Sequence, residues 1–150
     1  SYHTRSPRKD VAYPYYATLD ALAEAVDTLV CIVPKTPDTH KTINAALLKK
    51  LGPNGVLINI GRGWTVDEDD LAEALENGTI AAAGLDVFQD EPRVPERLMK
   101  LENACLLPHV ASASVPTRDA MADLTVDNLI SWFEKGAPIT PVPETPHSRD

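Results

Sequence analysis

Residues 28–78, TLVCIVPKTPDTHKTINAALLKKLGPNGVLINIGRGWTVDEDDLAEALENG, decide the fold. The short apolar run 28–33 reads as a buried strand, and residues 44–51 read as a helix that Gly52 stops. A second buried strand at 55–60 and a second helix at 67–77, stopped by Gly78, repeat the order. Asp67 is the expected N-cap of that helix, and Glu68, Asp69 and Asp70 place negative charge at the positive end of its dipole. Alternation of this kind with short connections implies right-handed crossovers and a parallel sheet.

Working outward, residues 1–4 read as the end of a strand, 18–26 as a helix, and 80–87 and 104–107 as two further strands. The fold class is therefore α/β, a Rossmann-like doubly wound parallel sheet with helices expected on both faces. A G-x-G-x-x-G loop, with which such a sheet normally opens, does not occur; the chain reads as a partial nucleotide-binding domain that begins after that loop. Residues 1–112 form this domain in our reading. Residues 113–150 hold a long helix, 116–134, and a proline-rich tail expected to be extended over 138–146 and frayed over 147–150. Ala120, Leu124, Asn128, Leu129, Trp132 and Phe133 give that helix an apolar side that needs a partner surface.

Composition narrows the classes. A chain of 150 residues with 43% hydrophobic residues buries one sizeable core. A formal charge of -8 argues against a nucleic-acid partner, because phosphate backbones attract basic surfaces. No apolar stretch approaches the ~20 residues of a membrane span, and the N-terminus has no apolar leader core, so no membrane association and a soluble, cytoplasmic location are expected. Cys31 and Cys105 sit in apolar runs and are expected to be buried. No His/Cys/Asp spacing suits a metal. His3, His40 and His147 have no matched partners and read as structural or solvated.

Three segments carry chemistry. Arg62 follows the strand 56–60 between Gly61 and Gly63, Glu91 lies in DVFQDEP beyond the strand 80–87, and His109 follows Leu107-Pro108. Residues just beyond the carboxyl ends of neighbouring parallel strands converge on one crevice, so a cation, a carboxylate and an imidazole meet there. An isolated G-R-G is an ordinary surface loop, and a lone histidine after a strand is as often structural as catalytic. Together they suit the reduction of a 2-keto acid: a fixed guanidinium for the carboxylate, a proton donor for the ketone oxygen, and an anion that keeps the donor charged. Gln89 and Asp90 compete with Glu91 for the last role on sequence alone.

Asn59 to Asp67 (NIGRGWTVD), Gly84 to Pro92 (GLDVFQDEP) and Leu106 to Ser114 (LLPHVASAS) resemble the signature blocks of the D-2-hydroxyacid dehydrogenases, most closely the NADPH-dependent glyoxylate/hydroxypyruvate reductases. The resemblance runs from Ser1 to about Val142. It implies catalytic roles for three residues. Arg62 would hold the substrate carboxylate and C2 oxygen, His109 would be the acid/base, and Glu91, the acid immediately before the proline, would orient His109. In the related formate dehydrogenases the histidine's partner is a glutamine, so an acid here weighs against formate oxidation. The resemblance also places Val33 and Pro34 against the adenosine ribose and dinucleotide backbone, Ile60 and Gly61 near the nicotinamide, and Asp86 at its carboxamide. It implies a homodimer and a small 2-keto acid as substrate. Trp64 is left with two readings, a substrate contact or packing at an interface.

Cofactor choice rests on residues 3–9, HTRSPRK. No acid precedes Asp10 where NAD-specific domains hold the ribose hydroxyls, while Arg5 and Arg8 can clamp a 2′-phosphate and Ser6 can donate to it, similar to the R-x-P-R stretch of the NADPH-dependent reductases. NADPH is the expected cofactor, with NADH possible. Two other classes compete with the reductase reading. A nucleotide-sensing corepressor on the same scaffold would use the fold for partner binding, and a non-redox Rossmann methyltransferase would give no reason for Arg62, Glu91 and His109 to occur together.

Overall fold

The structure, a computed structural model, describes residues 1–142. Two compact units divide at His109, one of Ser1–His109 and a second from Val110 onward. The first contains α1 (Leu19–Glu24), β1 (Thr28–Cys31), α2 (Ala45–Leu51), β2 (Val56–Asn59), α3 (Glu68–Glu76), β3 (Ala82–Leu85), α4 (Glu96–Met99) and β4 (Ala104–Leu106). All strand pairs are parallel, in the order β1-β2-β3-β4, with Thr28 opposite Val56, Val56 opposite Ala82 and Ala83 opposite Ala104.

The helices start where side chains satisfy their free amides. Thr18 accepts from Ala21 N–H, Asn44 from Leu47 N–H and Asp67 from Asp70 N–H, each leaving the β region to begin a helix. Asp70 also reaches across to α2, accepting the Ala45 N–H at 2.8 Å, so two helix N-termini are tied together. Lys41 pairs with Asp67 at 2.8 Å and holds its carboxyl below the usual carboxylate range. Leu47, Leu48 and Leu51 of α2 and Leu71, Ala72 and Leu75 of α3 are buried with Leu57 and Leu85 of the sheet. Each fully buried leucine contributes about 1.5–3 kcal/mol relative to exposure.

The α/β class and the parallel sheet are as expected, but the covering within this unit is one-sided. Strands in sequential order with crossovers of one hand bring every connecting helix to the same face. Burial agrees: Leu29, Cys31, Leu57, Asn59, Ala83 and Leu85 are buried, whereas Val30 on the opposite face is 50% exposed. Cys105 corrects the expectation of two buried thiols. It stands opposite Gly84 in the register, on that open face, and is exposed, while Cys31 is buried.

Residues 1–4 do not form a strand. Tyr2 makes one parallel bridge to Tyr15, with Tyr2 N–H donating to the Pro14 carbonyl and Tyr16 N–H to that of Tyr2, before the chain turns at Arg5 and Ser6. The short α4 was not anticipated, since four residues carry too little periodicity to read. His3 donates from Nδ1 to the Tyr16 carbonyl at 2.9 Å.

The second unit contains α5 (Val115–Lys135), capped by the Ser114 hydroxyl and ended by Gly136 in the left-handed region, φ 73°. Leu124, Leu129 and Phe133 remain exposed on it. The following residues turn back instead of extending: Asn128 Oδ1 accepts both the Ile139 and Thr140 N–H groups, and Ser131 donates to the Ala137 carbonyl. These bonds to side chains of α5, one acceptor and one donor, outweigh the proline tendency to extend. Most of the tail assigned from sequence, including His147, lies outside the described residues. No helix among the described residues is long and apolar enough to cross a membrane.

Candidate active site

Arg62, Glu91 and His109 come together beyond the carboxyl ends of β2, β3 and β4. They line one open cavity of about 360 Å³ with Lys35, Trp64 and Gln89. His109 Nδ1 lies 2.7 Å from Glu91 Oε2. The other carboxylate oxygen, Oε1, accepts the Phe88 N–H at 3.0 Å, so the carboxylate is fixed at both ends. The His109 contact, the Phe88 amide and the nearby Arg62 charge together hold the Glu91 carboxyl below the usual carboxylate range. Nε2 of His109 has no partner among the described residues and remains for another group. His109 also adopts φ 55°, in the left-handed region that non-glycine residues rarely occupy and that recurs at functional sites.

The two competitors for the histidine are engaged elsewhere. Asp90 pairs with Arg93, whose Nε donates at 2.8 Å. Gln89 donates its backbone N–H to Glu68 Oε1 at 2.7 Å and its side-chain amide to the Val66 carbonyl. Glu68 at the start of α3 is thus a clasp on the loop that carries Glu91, and its own burial pushes its carboxyl above the usual range.

The Arg62 loop is built on buried polar groups that the sequence reading passed over. Asn59 is fully buried; its Oδ1 accepts the Gly61 N–H at 3.1 Å and its Nδ2 donates to the Arg62 carbonyl at 3.1 Å. Thr65, also fully buried, donates to the same carbonyl at 2.7 Å. An asparagine ending an otherwise apolar strand, VLIN, was the available signal, since a buried amide must find partners. Gly63 packs against the Phe88 carbonyl and the Gln89 amide so closely that no Cβ fits. That contact joins the Arg62 loop to the Glu91 loop. The Arg62 side chain itself donates only to the Gly61 carbonyl, at 2.6 Å, and has no carboxylate partner among the described residues.

The remaining positions named from sequence fall in two places. Val33, Pro34 and Ile60 are exposed at the ends of β1 and β2, and Gly61 brings these ends together, since a Cβ on it would lie 2.9 Å from the Val33 carbonyl oxygen. Asp86 at the end of β3 is 2% exposed, and its N–H donates to the Asn59 carbonyl at 3.0 Å. Arg5, Ser6 and Arg8 lie in the exposed turn after Tyr2. Arg8 there is held by Asp10, with Nε 3.3 Å from Oδ1 and a terminal nitrogen 3.2 Å from Oδ2, whereas Arg5 has no ion pair among the described residues. Trp64 is pinned within this unit: its Nε1 donates to the Thr36 carbonyl at 2.8 Å and its ring centroid is 4.0 Å from that of His40.

Known proteins share this arrangement of strands and loops. Over 142 residues, 95% of this chain, it is 51% identical to a hydroxyphenylpyruvate reductase of Plectranthus scutellarioides and 49% identical to glyoxylate/hydroxypyruvate reductase A HPR2 of Arabidopsis thaliana, covering 45% of each. A crystal structure of an NADPH-dependent glyoxylate/hydroxypyruvate reductase from Sinorhizobium meliloti, in complex with NADP and malonate, superimposes with a TM-score of 0.90 at 61% identity, over 100% of this chain and 47% of that one. The chain spans about half the length of the relatives it matches. Residues 1–111 match the family D-isomer specific 2-hydroxyacid dehydrogenase, NAD binding domain, and the chain therefore belongs to that family.

Proposed function

We propose that this chain is the cofactor-binding part of an NADPH-dependent reductase that converts a small 2-keto acid, glyoxylate or hydroxypyruvate, to the D-2-hydroxy acid. The observation that carries the reading is the 2.7 Å His109–Glu91 pair facing the same cavity as Arg62, which has no carboxylate partner among the described residues. Similarity to named glyoxylate/hydroxypyruvate reductases supports the substrate class.

The crevice residues fit a dinucleotide. Val33 and Ile60 expose apolar side chains beyond adjacent strand ends, the tight Val33–Gly61 approach leaves backbone in place of a side chain, and Arg5 offers a cation with no ion pair among the described residues. Asp86, Pro34, Ser6 and Arg8 complete the proposed cofactor contacts. When bound, the nicotinamide supplies the reducing equivalents at C2. Arg62 binds the substrate carboxylate through its planar fork and polarises the C2 oxygen. His109, protonated, gives its Nε2 proton to that oxygen in reduction and, neutral, takes it back in oxidation. Glu91 holds Nδ1, which fixes the ring's orientation. Family resemblance further suggests a homodimer and a cytoplasmic location, for which sedimentation and cell fractionation are the direct measurements.

The test is NADPH oxidation by the complete protein with glyoxylate. His109→Ala is expected to lower kcat by roughly 10²-fold or more with little change in NADPH affinity. Retained turnover in that variant would refute the assignment.

A further inference from the structure

We propose that Lys35 and Trp64 form a second anion subsite in the Arg62 cavity, one that favours 2-keto dicarboxylates over 2-keto acids with uncharged side chains. This deepens the reductase reading and rests on it. The argument begins with charge. The chain carries 22 acidic and 14 basic residues, so carboxylate partners are in excess. In the first unit Arg8, Lys41, Lys50, Arg93, Arg97 and Lys100 all have acidic partners. Arg5, Lys9, Lys35, Lys49 and Arg62 have none among the described residues, and of these Lys35 and Arg62 line the same cavity. The acids on its rim are committed, Asp90 to Arg93 and Glu91 to His109.

An exposed lysine is ordinarily a mobile, solvated charge. Lys35 differs because its Nζ lies 4.6 Å from the centroid of the Trp64 ring. A cation–π contact places an ammonium without neutralising it, so the charge stays available to an anion. The platform is itself fixed. Trp64 Nε1 donates to the Thr36 carbonyl at 2.8 Å, its ring meets His40, and its backbone carbonyl accepts the Lys41 N–H at 3.0 Å. Trp64 is two residues from Arg62 on the same tightly packed turn, so the platform under Lys35, which itself comes from the segment after β1, is fixed to the loop that presents Arg62. With Arg62 engaged by the carboxylate next to the keto group, Lys35 is left for a charge at the far end of the substrate. A compact ammonium with three donors suits a second carboxylate.

The experiment uses the complete protein with NADPH and three substrates: glyoxylate, oxaloacetate, and 2-oxobutyrate as a chain of matching length without the second charge. The wild type is expected to show kcat/KM for oxaloacetate at least tenfold above that for 2-oxobutyrate. Lys35→Met keeps the stem and removes the charge; it should abolish that preference while glyoxylate kinetics stay within twofold. A Lys35→Met enzyme that keeps the preference, or that loses glyoxylate and oxaloacetate activity alike, overturns the subsite. If the wild type reduces none of the three, the reductase reading fails, and the subsite is judged separately by equilibrium binding of oxaloacetate against 2-oxobutyrate to the cofactor-loaded protein. Equal affinities there overturn it as well.

Discussion

Gly63→Ala tests whether the candidate site is held by backbone-to-backbone packing. A Cβ at Gly63 would fall inside the space of the Phe88 carbonyl and the Gln89 amide nitrogen, far under the 3.0 Å that real Cβ atoms respect. Both obstacles are main chain, so no rotamer change relieves the clash. The Arg62 loop and the Glu91 loop must separate by about 1 Å, a shift that overpacking measurements put at roughly 1–3 kcal/mol. For a domain of this size each kcal/mol moves Tm by about 2–4 °C, so the melting point should fall by roughly 2–12 °C. The same separation pulls Arg62 away from the Glu91–His109 pair. A displacement of about 1 Å between groups that must act together costs on the order of 10²-fold in rate, so kcat in the complete enzyme should drop by that factor. Gly84→Ala is the control. Its Cβ would meet only the movable end of the Ile58 side chain, at 3.0 Å, and should cost little in either measurement. Calorimetry on both variants with steady-state kinetics decides it; a Gly63→Ala protein that melts with wild type and keeps its kcat refutes the reasoning.

Three further outcomes follow from the same geometry. Glu91→Gln removes an anion whose carboxyl is held below its ordinary range by His109 first and the Phe88 amide second; the Glu91 contribution to stability is therefore present above the ordinary carboxylate range and lost as pH falls through the lowered value, so melts of wild type and variant should converge on acidification. In kinetics the same change should lower kcat more than it changes KM, because the anion that orients the His109 ring is lost, and an unchanged kcat assigns the role elsewhere. Glu68→Ala takes away the acceptor of the Gln89 N–H and should lower kcat more than it changes KM, whereas Glu68→Gln, which still accepts, should retain most activity; equal loss in both variants would show that only the charge matters. Arg5→Ala should reduce NADPH preference more than Arg8→Ala does, because Arg8 must first leave Asp10, and Asp10→Asn should tighten NADPH by no more than a few-fold, since the pair is solvent-exposed; a larger loss from Arg8→Ala would reverse that ranking.

Chain-local signals carried much of the fold. Apolar runs around Leu29, Leu57 and Ala83 flanked by the capping residues Asn44 and Asp67 and the stop glycines Gly52 and Gly78 locate strands and helices, because each of these preferences acts over a few residues. The positions of Arg62, Glu91 and His109 beyond strand ends were legible for the same reason: a parallel sheet carries successive strand ends to one side, and the order of strands then sets which loops meet.

What the tertiary structure decided involves contacts between segments distant in the chain. Sequence could not choose among Gln89, Asp90 and Glu91; the choice depends on Asp90 finding Arg93 and Gln89 finding Glu68 and Val66, which frees Glu91 for His109. Nor could it show that Cys105 faces outward, because that follows from its register opposite Gly84. The buried amide of Asn59, the closed approach at Gly63 and the pinning of Trp64 by Thr36 and His40 depend on where separate loops pack. Periodicity and capping are properties of neighbouring residues and survive in the one-dimensional chain. Hydrogen-bond competition, register and steric closure are settled only when remote groups share the same few ångströms.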